Sequence, residues 1–221
     1  MPDSRALIFA NGDQFDQESM RLLIQPGDFL VAADGGLRHL LGLGLAPDLL
    51  IGDLDSAIAE DIERVSQAYG QVIRYPVHKD ETDLELALQA AVREGHREIL
   101  ILGALGGRLD MTLANISLLM LPELAACEVR LEDGIEEVFL IRAGKEGRWI
   151  SGQPGDCVSL LPWGCAATGV KTDGLFYPLK GESLFPDRTR GISNRMVADR
   201  AWIFLESGFL ICIHTRTMCG G

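Results

Sequence analysis

The spacing of hydrophobic positions changes about halfway along the chain. Up to about residue 125, short apolar runs typical of buried strands alternate with stretches in which apolar residues recur at helical spacing. This alternation predicts βαβ units and a mostly parallel, Rossmann-like sheet, so we expect an α/β domain over residues 1–125. The predicted strands cover residues 6–10, 29–33, 49–51, 72–75 and 98–102.

The second half of the chain has a different pattern. Short apolar runs, beginning with residues 128–131, are separated by turns rich in glycine and proline, and long helical patterns are absent. Such spacing is typical of antiparallel strands. We therefore expect an all-β sandwich or half-barrel over residues 126–221.

Acidic residues follow the predicted strands of the first half. In open α/β sheets the ligand lies beyond the carboxyl ends of the strands, so side chains at these positions converge on one edge. Carboxylates gathered there would suit Mg²⁺ and a polyphosphate. The pattern predicts an enzyme that transfers a phosphate group. The acidic residues that follow the predicted strands are Asp34 in ADGG, Asp53 and Asp55 in IGDLDS, Asp80 and Asp83 in KDETD, and Asp110 in GGRLD.

Composition and charge narrow the possible partners. The 221 residues are 47% hydrophobic and 24% charged, which is ordinary for a globular protein. The net charge of −12 argues against a nucleic acid or a membrane surface, because both would require a basic patch. ATP remains compatible with this charge, since bound Mg²⁺ offsets local acidity.

The cysteines and the longest apolar runs indicate the compartment. The five cysteines are odd in number, widely spaced and without a CxxC pair, which favours reduced thiols over a disulfide framework or a zinc site. No apolar run approaches the ~20 residues needed to cross a bilayer. We expect a cytoplasmic protein without a membrane partner.

Two pairs of aspartates are candidate metal ligands. Asp53 and Asp55 flank Leu54, and in an extended strand they would point to the same side and could share Mg²⁺. The alternative is a loop aspartate that caps the next helix, because a short DxD motif has many false positives. Asp80 and Asp83 lie at a helix start, where the helix dipole favours carboxylates without any ligand. Asp83 is the better placed of the two for a metal.

The residues around this second pair have both structural and functional interpretations. Thr82 is a predicted N-cap, with Glu85 three residues later, for a helix over residues 83–94. Lys79 could contact a phosphate group or remain solvated.

Two glycine-containing turns could bring backbone close to a nucleotide. Gly106 and Gly107 precede a helix N-terminus, Arg108 could clamp phosphate oxygens, and Asp110 could accept a proton or bind metal. The alternative is a structural ion pair between Arg108 and Asp110. In the other turn Asp34 is followed by Gly35 and Gly36, and Asp34 could instead cap the next helix.

Two common nucleotide-binding motifs are missing from the sequence. The chain has neither GxxxxGK[ST] nor GxGxxG, which argues against a Walker-A kinase and against NAD binding.

The second half contains two candidate binding segments, GLFYPL and GISN. Tyr177, with Ser193 and Asn194, could hold a flat cationic heterocycle through an aromatic face and small polar groups. The alternative is a core tyrosine and a turn asparagine.

Six segments in order resemble the thiamin pyrophosphokinase (thiamin diphosphokinase) family over nearly the whole chain: ADGG, PDLLIGDLDS, DETDLELAL, LGALGGRLDMTLANI, GLFYPL and GISN. The resemblance implies a two-domain homodimer with its active site at the subunit interface. It implies Mg²⁺-dependent, in-line transfer of the pyrophosphoryl group of ATP to the hydroxyl group of thiamin, which gives thiamin diphosphate and AMP.

The resemblance also implies a role for each matching residue. Asp53, Asp55 and Asp83 would be metal ligands, and Tyr177, Ser193 and Asn194 would bind thiamin. The catalytic set would be Asp55, Asp83, Arg108 and Asp110. The nucleotide site would comprise Asp34, Gly35, Gly36, Asp80, Thr82, Gly106 and Gly107.

Two residues depart from the family pattern. Met111 stands where a histidine often follows the aspartate of the RxD motif, and Lys79 stands where some relatives have a neutral polar residue. These departures bear on nucleotide preference rather than on the type of reaction.

Two other functions remain as alternatives. A haloacid-dehalogenase-type phosphatase would use Asp53 as nucleophile and Asp55 as acid, but the usual threonine or valine after the second aspartate is missing and the motif is not on the first strand. A non-catalytic nucleotide or vitamin sensor would bind without forming AMP. Three aspartate ligands argue against it, because simple nucleotide binding rarely requires so many.

Overall fold

The chain folds into two compact units, Met1–Gly134 and Ile135–Gly221. The computed structural model describes residues 5–12, 17–55, 58–68 and 70–217. Cys219 and two residues of the helix predicted near residues 57–69, Ala57 and Tyr69, lie outside the described residues. The division after Gly134 assigns residues 126–134 to the first unit, whereas the sequence pattern placed the boundary at residue 125.

The first unit contains the predicted parallel sheet. All five strand pairs are parallel, in the order β6-β5-β1-β2-β3-β4, which confirms the α/β prediction. Buried Val, Leu, Ile and Ala residues fill the central strands, as expected for a sheet covered on both faces. The strands are β1 (Ala6–Phe9), β2 (Phe29–Ala33), β3 (Leu49–Gly52), β4 (Gln71–Arg74), β5 (Glu98–Leu102) and β6 (Glu128–Glu132).

Strand β6 corrects one expectation. Its residues were predicted to begin the β-rich half, but β6 pairs in parallel with β5, with Glu98 opposite Glu128. The intervening helix makes this a further βαβ unit. The apolar pattern of a strand does not reveal its partner, and the pattern therefore left β6 on the wrong side of the boundary.

The helices of the first unit connect successive strands. Helix α4 begins where predicted, because Thr82 Oγ1 accepts a hydrogen bond from the Glu85 N–H at 3.2 Å. The apolar side of α4, including Leu84 and Leu88, is buried. The helices are α1 (Gln17–Leu23), α2 (Leu37–Gly42), α3 (Ala59–Gln67), α4 (Asp83–Arg93) and α5 (Leu109–Leu118), with 3₁₀ turns at Asp34–Gly36 and Pro122–Leu124.

The second unit consists of strands in two antiparallel groups, as predicted. One group has the order β12-β9-β14-β7 and the other β11-β10-β13-β8. Residues from both groups, such as Phe139 and Ile203, share one apolar core. The strands are β7 (Glu136–Arg142), β8 (Arg148–Ser151), β9 (Cys157–Pro162), β10 (Ala167–Asp173), β11 (Lys180–Leu184), β12 (Asn194–Arg195), β13 (Arg200–Phe204) and β14 (Phe209–Thr215).

Among the residues that the structure describes, no helix is long and apolar enough to cross a membrane.

A buried histidine joins three parts of the second unit. His214 on β14 is 1% exposed, and its Nε2 lies 2.9 Å from Asp156 Oδ2 while its Nδ1 lies 3.5 Å from Glu137 Oε2 on β7. Arg216 also approaches Glu137, at 3.8 Å. The contact with Glu137, followed by that with Asp156, outweighs burial and raises the pKa of His214. Burial alone would raise the pKa of Asp156, but N–H donors from Thr217 and Gln153, together with His214, hold it at about 2.

We expect His214→Gln to lower the free energy of unfolding by roughly 3 kcal/mol near pH 6, because it removes a buried cation from between the carboxylates of Asp156 and Glu137. The folded-state pKa of His214 is raised, so its contribution is complete below the unfolded value near 6.5 and is lost as the pH rises through the folded value. Urea unfolding at about pH 6 and about pH 9 should therefore give a smaller difference between variant and parent at the higher pH. The exposed His78 offers a control, His78→Gln, that should change little at either pH. An equal deficit for His214→Gln at both values would contradict a charged histidine.

Candidate active site

Three carboxylates from separate elements converge in the first unit. Asp34 follows β2, Asp53 follows β3 and Asp83 begins α4. One carboxylate oxygen from each lies within 4.8 Å of the others. The neighbouring β2 and β3 are parallel, so their carboxyl ends bring Asp34 and Asp53 to the same edge of the sheet. We call these three residues the acidic cluster.

Unusual backbone conformations produce this convergence. Three non-glycine residues among those described have positive φ: Asp34 at 43°, Leu54 at 59° and Ser193 at 57°. Each is a predicted site residue or lies between two of them, and conformations of this kind concentrate at functional sites. Gly52, at φ 154°, faces the cluster, and a Cβ there would lie 2.9 Å from Asp34 Cβ and 3.2 Å from Asp83 Oδ1. A side chain at position 52 would therefore force the carboxylates of the cluster to shift.

The conformation of Leu54 corrects the argument made for Asp53 and Asp55. Strand β3 ends at Gly52 and Leu54 is left-handed, so the two aspartates do not flank an extended residue. Asp55 is exposed and donates its backbone N–H to Asp53 Oδ1 at 3.2 Å. The charge of Asp53, then partial burial and the charge of Asp34, raise the pKa of Asp55. Asp55 thus lies in the negative field of the cluster but outside the set within 4.8 Å, and its role as a metal ligand stays a prediction.

Lys79 contacts two members of the cluster. Its Nζ lies 3.0 Å from Asp83 Oδ1 and 3.7 Å from Asp53 Oδ2, and its side chain is only 10% exposed. Burial opposes the charge of this ammonium, but the contact with Asp83 and the charges of Asp53 and Asp34 raise the pKa of Lys79. The solvated alternative for Lys79 is therefore wrong.

The donor set of the cluster fits a hard divalent cation such as Mg²⁺, which prefers carboxylate oxygens. One observation in particular supports the fit. Asp83 Oδ1 is buried, and it accepts no hydrogen bond of acceptable geometry from any group in the described part of the chain. The Lys79 ammonium 3.0 Å away is an ion-pair partner whose angles fall outside the hydrogen-bond range. A buried carboxylate oxygen that has an ion-pair partner but no hydrogen bond is a suitable metal ligand, because burial of an incompletely satisfied oxygen is costly.

A cleft of about 430 Å³ opens beside the cluster. Asp34 and Asp83 line it, and so do the predicted nucleotide residues Thr82, Gly106 and Gly107, together with Arg108. Gly35 lines a smaller neighbouring cavity of about 280 Å³, which also includes Asp34. Of the described residues predicted for the nucleotide, Gly36 and Asp80 line neither cavity. Gly36 is buried, where a Cβ would clash with the carbonyl of Phe9, and Asp80 is exposed before α4.

Arg108 and Asp110 form the ion pair that was the alternative in the sequence. Arg108 Nε and Nη2 donate to the two oxygens of Asp110 at 3.1 and 2.6 Å. Both side chains are largely exposed, so the pair adds little stability. The bond from Arg108, then that from the Met111 N–H, lowers the pKa of Asp110 and makes it a weak base in this arrangement.

Some residues that line the cleft were not predicted from the sequence, and Asn11, Gly12 and Asn115 are among them. Asn11 directly follows the strand predicted over residues 6–10, so the rule that found Asp34 after β2 could have found it if amides had been considered with carboxylates. Helix α2 holds this loop, because Arg38 donates to the carbonyls of Asn11 and Gly12 at 3.1 and 3.2 Å. Asn115 is buried and donates to the Ala104 carbonyl at 2.9 Å, a contact that no motif would indicate.

The residues predicted to bind a heterocycle lie together in the second unit. The Tyr177 side chain is 56% exposed, so the core-tyrosine alternative is wrong. Asn194 is buried, accepts the Tyr177 N–H at 3.0 Å and donates to the Tyr177 carbonyl at 2.7 Å. Ser193 is exposed and left-handed, and its N–H donates to Ser159 Oγ at 3.0 Å. Asn194 therefore holds the backbone that presents the Tyr177 ring.

A second aromatic residue belongs to this surface. Phe176 is 55% exposed and meets Tyr177 edge to face, with ring centroids 4.8 Å apart. The Arg195 guanidinium lies over the Phe176 ring, 5.5 Å from its centroid. The sequence contained Phe176 within GLFYPL, but nothing in it distinguished an exposed phenylalanine from a core one.

Family models match both units. One described as "Thiamin pyrophosphokinase, catalytic domain" matches residues 20–131, and another described as "Thiamin pyrophosphokinase, vitamin B1 binding domain" matches residues 146–210. The chain is 29% identical over 185 residues to the thiamine pyrophosphokinase of Bacillus subtilis (strain 168), which covers 84% of this chain and 86% of that protein.

Solved structures agree with these matches. A crystal structure of thiamine pyrophosphokinase from Bacillus subtilis has a TM-score of 0.85 at 26% identity, and the match covers 97% of this chain and 100% of that one. A thiamin pyrophosphokinase family protein from Enterococcus faecalis has a TM-score of 0.82 at 26% identity, with the same coverage.

We expect Gly52→Ala to weaken divalent-cation binding by at least tenfold, on the order of 1.4 kcal/mol, because its Cβ would push Asp34 and Asp83 apart. Calorimetric titration with Mn²⁺ would measure this loss in protein whose circular dichroism is unchanged.

Gly44→Ala is the matched control. Gly44 also has positive φ, 75°, but a Cβ there would meet no atom of the described residues within 4 Å. This control should share the backbone strain, lose some thermal stability and bind Mn²⁺ normally. Equal Mn²⁺ affinity in both variants would separate Gly52 from the cluster.

Proposed function

The chain belongs to the thiamin pyrophosphokinase family, and from this premise we propose that it transfers the pyrophosphoryl group of ATP to the hydroxyl group of thiamin, giving thiamin diphosphate and AMP. One observation carries the assignment of this reaction to the first unit. The acidic cluster brings three carboxylates within 4.8 Å of one another, and two of them line a cleft large enough for a nucleotide.

Mg²⁺ is the proposed cofactor. Asp34, Asp53 and Asp83 would hold it, with Asp55 as a further ligand from the adjacent loop. When bound, the ion would neutralise charge on the polyphosphate oxygens and favour departure of AMP. The buried, incompletely satisfied Asp83 Oδ1 supports this assignment.

The remaining residues of the cleft would bind and orient the triphosphate. Gly106 and Gly107 bring backbone close to the cleft at the start of α5, a position suited to phosphate oxygens. The Arg108 fork matches phosphate as well as it matches the Asp110 carboxylate, so a triphosphate would compete for it. Such a clamp would hold the β-phosphorus in line with the incoming hydroxyl group.

The hydroxyl group of thiamin loses its proton late, because the transition state of phosphoryl transfer is loose and requires little base catalysis. We assign the acceptor role to Asp83 rather than to Asp110. Asp83 lines the cleft, whereas Asp110 is not among the residues that line it.

The second unit would bind thiamin. The exposed ring of Tyr177 offers an aromatic face to a cationic heterocycle, with Ser193 beside the supporting Asn194. The net charge of −12 also favours a cation over an anion at the surface.

A homodimer whose active site lies at the subunit interface, and a cytoplasmic location, complete the proposal. Exposed apolar side chains in each unit are typical of an interface. They include Leu109, Met111 and Leu113 in the first unit and Phe176, Phe185 and Val197 in the second. The cysteine pattern supports a reducing compartment.

The deciding experiment incubates the protein with ATP, Mg²⁺ and thiamin, and measures AMP, ADP and free phosphate. We expect AMP and thiamin diphosphate in equal amounts. ADP with thiamin monophosphate would indicate an ordinary kinase, free phosphate without thiamin a phosphatase, and binding without any product a sensor.

Asp55→Asn serves as the metal-site variant in this assay. We expect it to abolish turnover with folding intact, because the amide removes a negative charge from the cation site. Glu63→Gln is its control, since it makes the same change of carboxylate to amide at an exposed position of helix α3 that lines neither cavity. Near-normal turnover of Asp55→Asn would remove Asp55 from the metal site.

For Tyr177→Ala we expect a thiamin KM raised about tenfold with a nearly unchanged kcat, because the stacked ring contributes on the order of 1–2 kcal/mol. Steady-state kinetics at saturating ATP would measure it, with Trp149→Ala as an exposed aromatic control. An unchanged KM would contradict stacking. Mixing Tyr177→Ala with Asp83→Asn subunits should restore activity at low thiamin if the two residues act across the interface.

A further inference from the structure

Lys79 places a largely buried cation beside the acidic cluster. Its ammonium group lies 3.0 Å from Asp83 Oδ1 and 3.7 Å from Asp53 Oδ2, with 10% of its side chain exposed. The ion pair of Lys171 with Glu206 is an instructive contrast, because it spans 3.9 Å with side chains 50% and 61% exposed. Lys79 therefore forms a largely buried ion pair, unlike the exposed pair of Lys171.

The electrostatics of the cluster explain why a cation lies there. Three carboxylates within 4.8 Å repel one another strongly where solvent is partly excluded. The single positive charge of Lys79 offsets part of this repulsion. The ammonium does so through Asp83 Oδ1, the same buried oxygen that a divalent ion would take.

A divalent ion and Lys79 therefore compete for the cluster. An ion that coordinates Asp83 must meet a positive charge about 3 Å from that oxygen. The repulsion is relieved if Lys79 moves away, and a triphosphate beside the cluster offers it a new anionic partner.

We propose that Lys79 is a resident counter-ion of the acidic cluster, that a divalent ion displaces it, and that the released ammonium binds the triphosphate which arrives with the metal. This inference rests on the proposed function for the nature of the nucleotide. It assigns to Lys79 a positioning role that couples metal binding to nucleotide binding.

The coupling has a definite sign. Free metal binds weakly, since it must displace Lys79 into water, whereas metal and triphosphate together bind well. Loss of the lysine charge should therefore strengthen binding of metal alone and weaken binding of the metal–nucleotide complex. Opposite shifts of two affinities cannot arise from general damage to the fold.

The test uses the full chain and Mn²⁺, whose binding is measured by electron paramagnetic resonance, alone and as a complex with α,β-methylene ATP. The analogue resists cleavage between its α and β phosphates, so no turnover interferes. The variants are Lys79→Met and Lys79→Gln, which remove the charge, and Lys79→Arg, which keeps it. Lys145→Met is the matched control, because it makes the same change in net charge at an exposed position.

For both neutral variants we expect Mn²⁺ alone to bind about tenfold more tightly and the Mn²⁺–analogue complex about tenfold more weakly. Lys79→Arg should retain most of the parent behaviour, and Lys145→Met should match the parent. Metal-free Lys79→Gln should melt at a lower temperature than the parent and regain stability with Mn²⁺, as loss of the counter-ion requires.

Three results would overturn the proposal. Unchanged affinity for Mn²⁺ alone would make Lys79 a phosphate ligand only. Weaker binding of Mn²⁺ alone would make it a support for the carboxylates, and weaker binding of both forms with no recovery in Lys79→Arg would indicate structural damage. None of these readouts depends on turnover, so AMP formation by the parent protein tests the proposed function separately.

Discussion

The site of the first unit depends on one constraint: three carboxylates that repel one another lie close together. Asp34, Asp53 and Asp83 come within 4.8 Å because parallel strands end at one edge and a helix begins there. Backbone strain at Asp34 and the absence of a side chain at Gly52 allow this approach. Such an arrangement lowers the stability of the fold unless a cation offsets the repulsion, and Lys79 offsets it in part.

The fold could be predicted largely from periodicity, because alternating strands and helices leave few topologies open. The mostly parallel sheet of the first unit and the antiparallel strands of the second followed from this argument. Strand β6 did not, since nothing in its short apolar run distinguishes a parallel partner from an antiparallel one. The position of the acidic cluster at the strand ends was also predictable, because parallel strands end at the same edge of a sheet.

The detail of the site was less accessible, because it depends on single dihedral angles and long-range contacts. The left-handed Leu54 separates Asp53 from Asp55, and no spacing rule reveals it. Asp34 was predicted for the nucleotide, yet its oxygen lies with those of Asp53 and Asp83. His214 was overlooked because its partners, Glu137 and Asp156, lie 77 and 58 residues away in the chain.

The frame around Tyr177 has an evolutionary consequence. Both polar groups of Asn194 are engaged by the main chain of residue 177, so the loop does not depend on which side chain that residue carries. A single codon change there exchanges the presented ring while its support stays intact. With thiamin bound at Tyr177 as proposed, substitutions of that ring would change ligand preference while the supporting main chain stays unaltered.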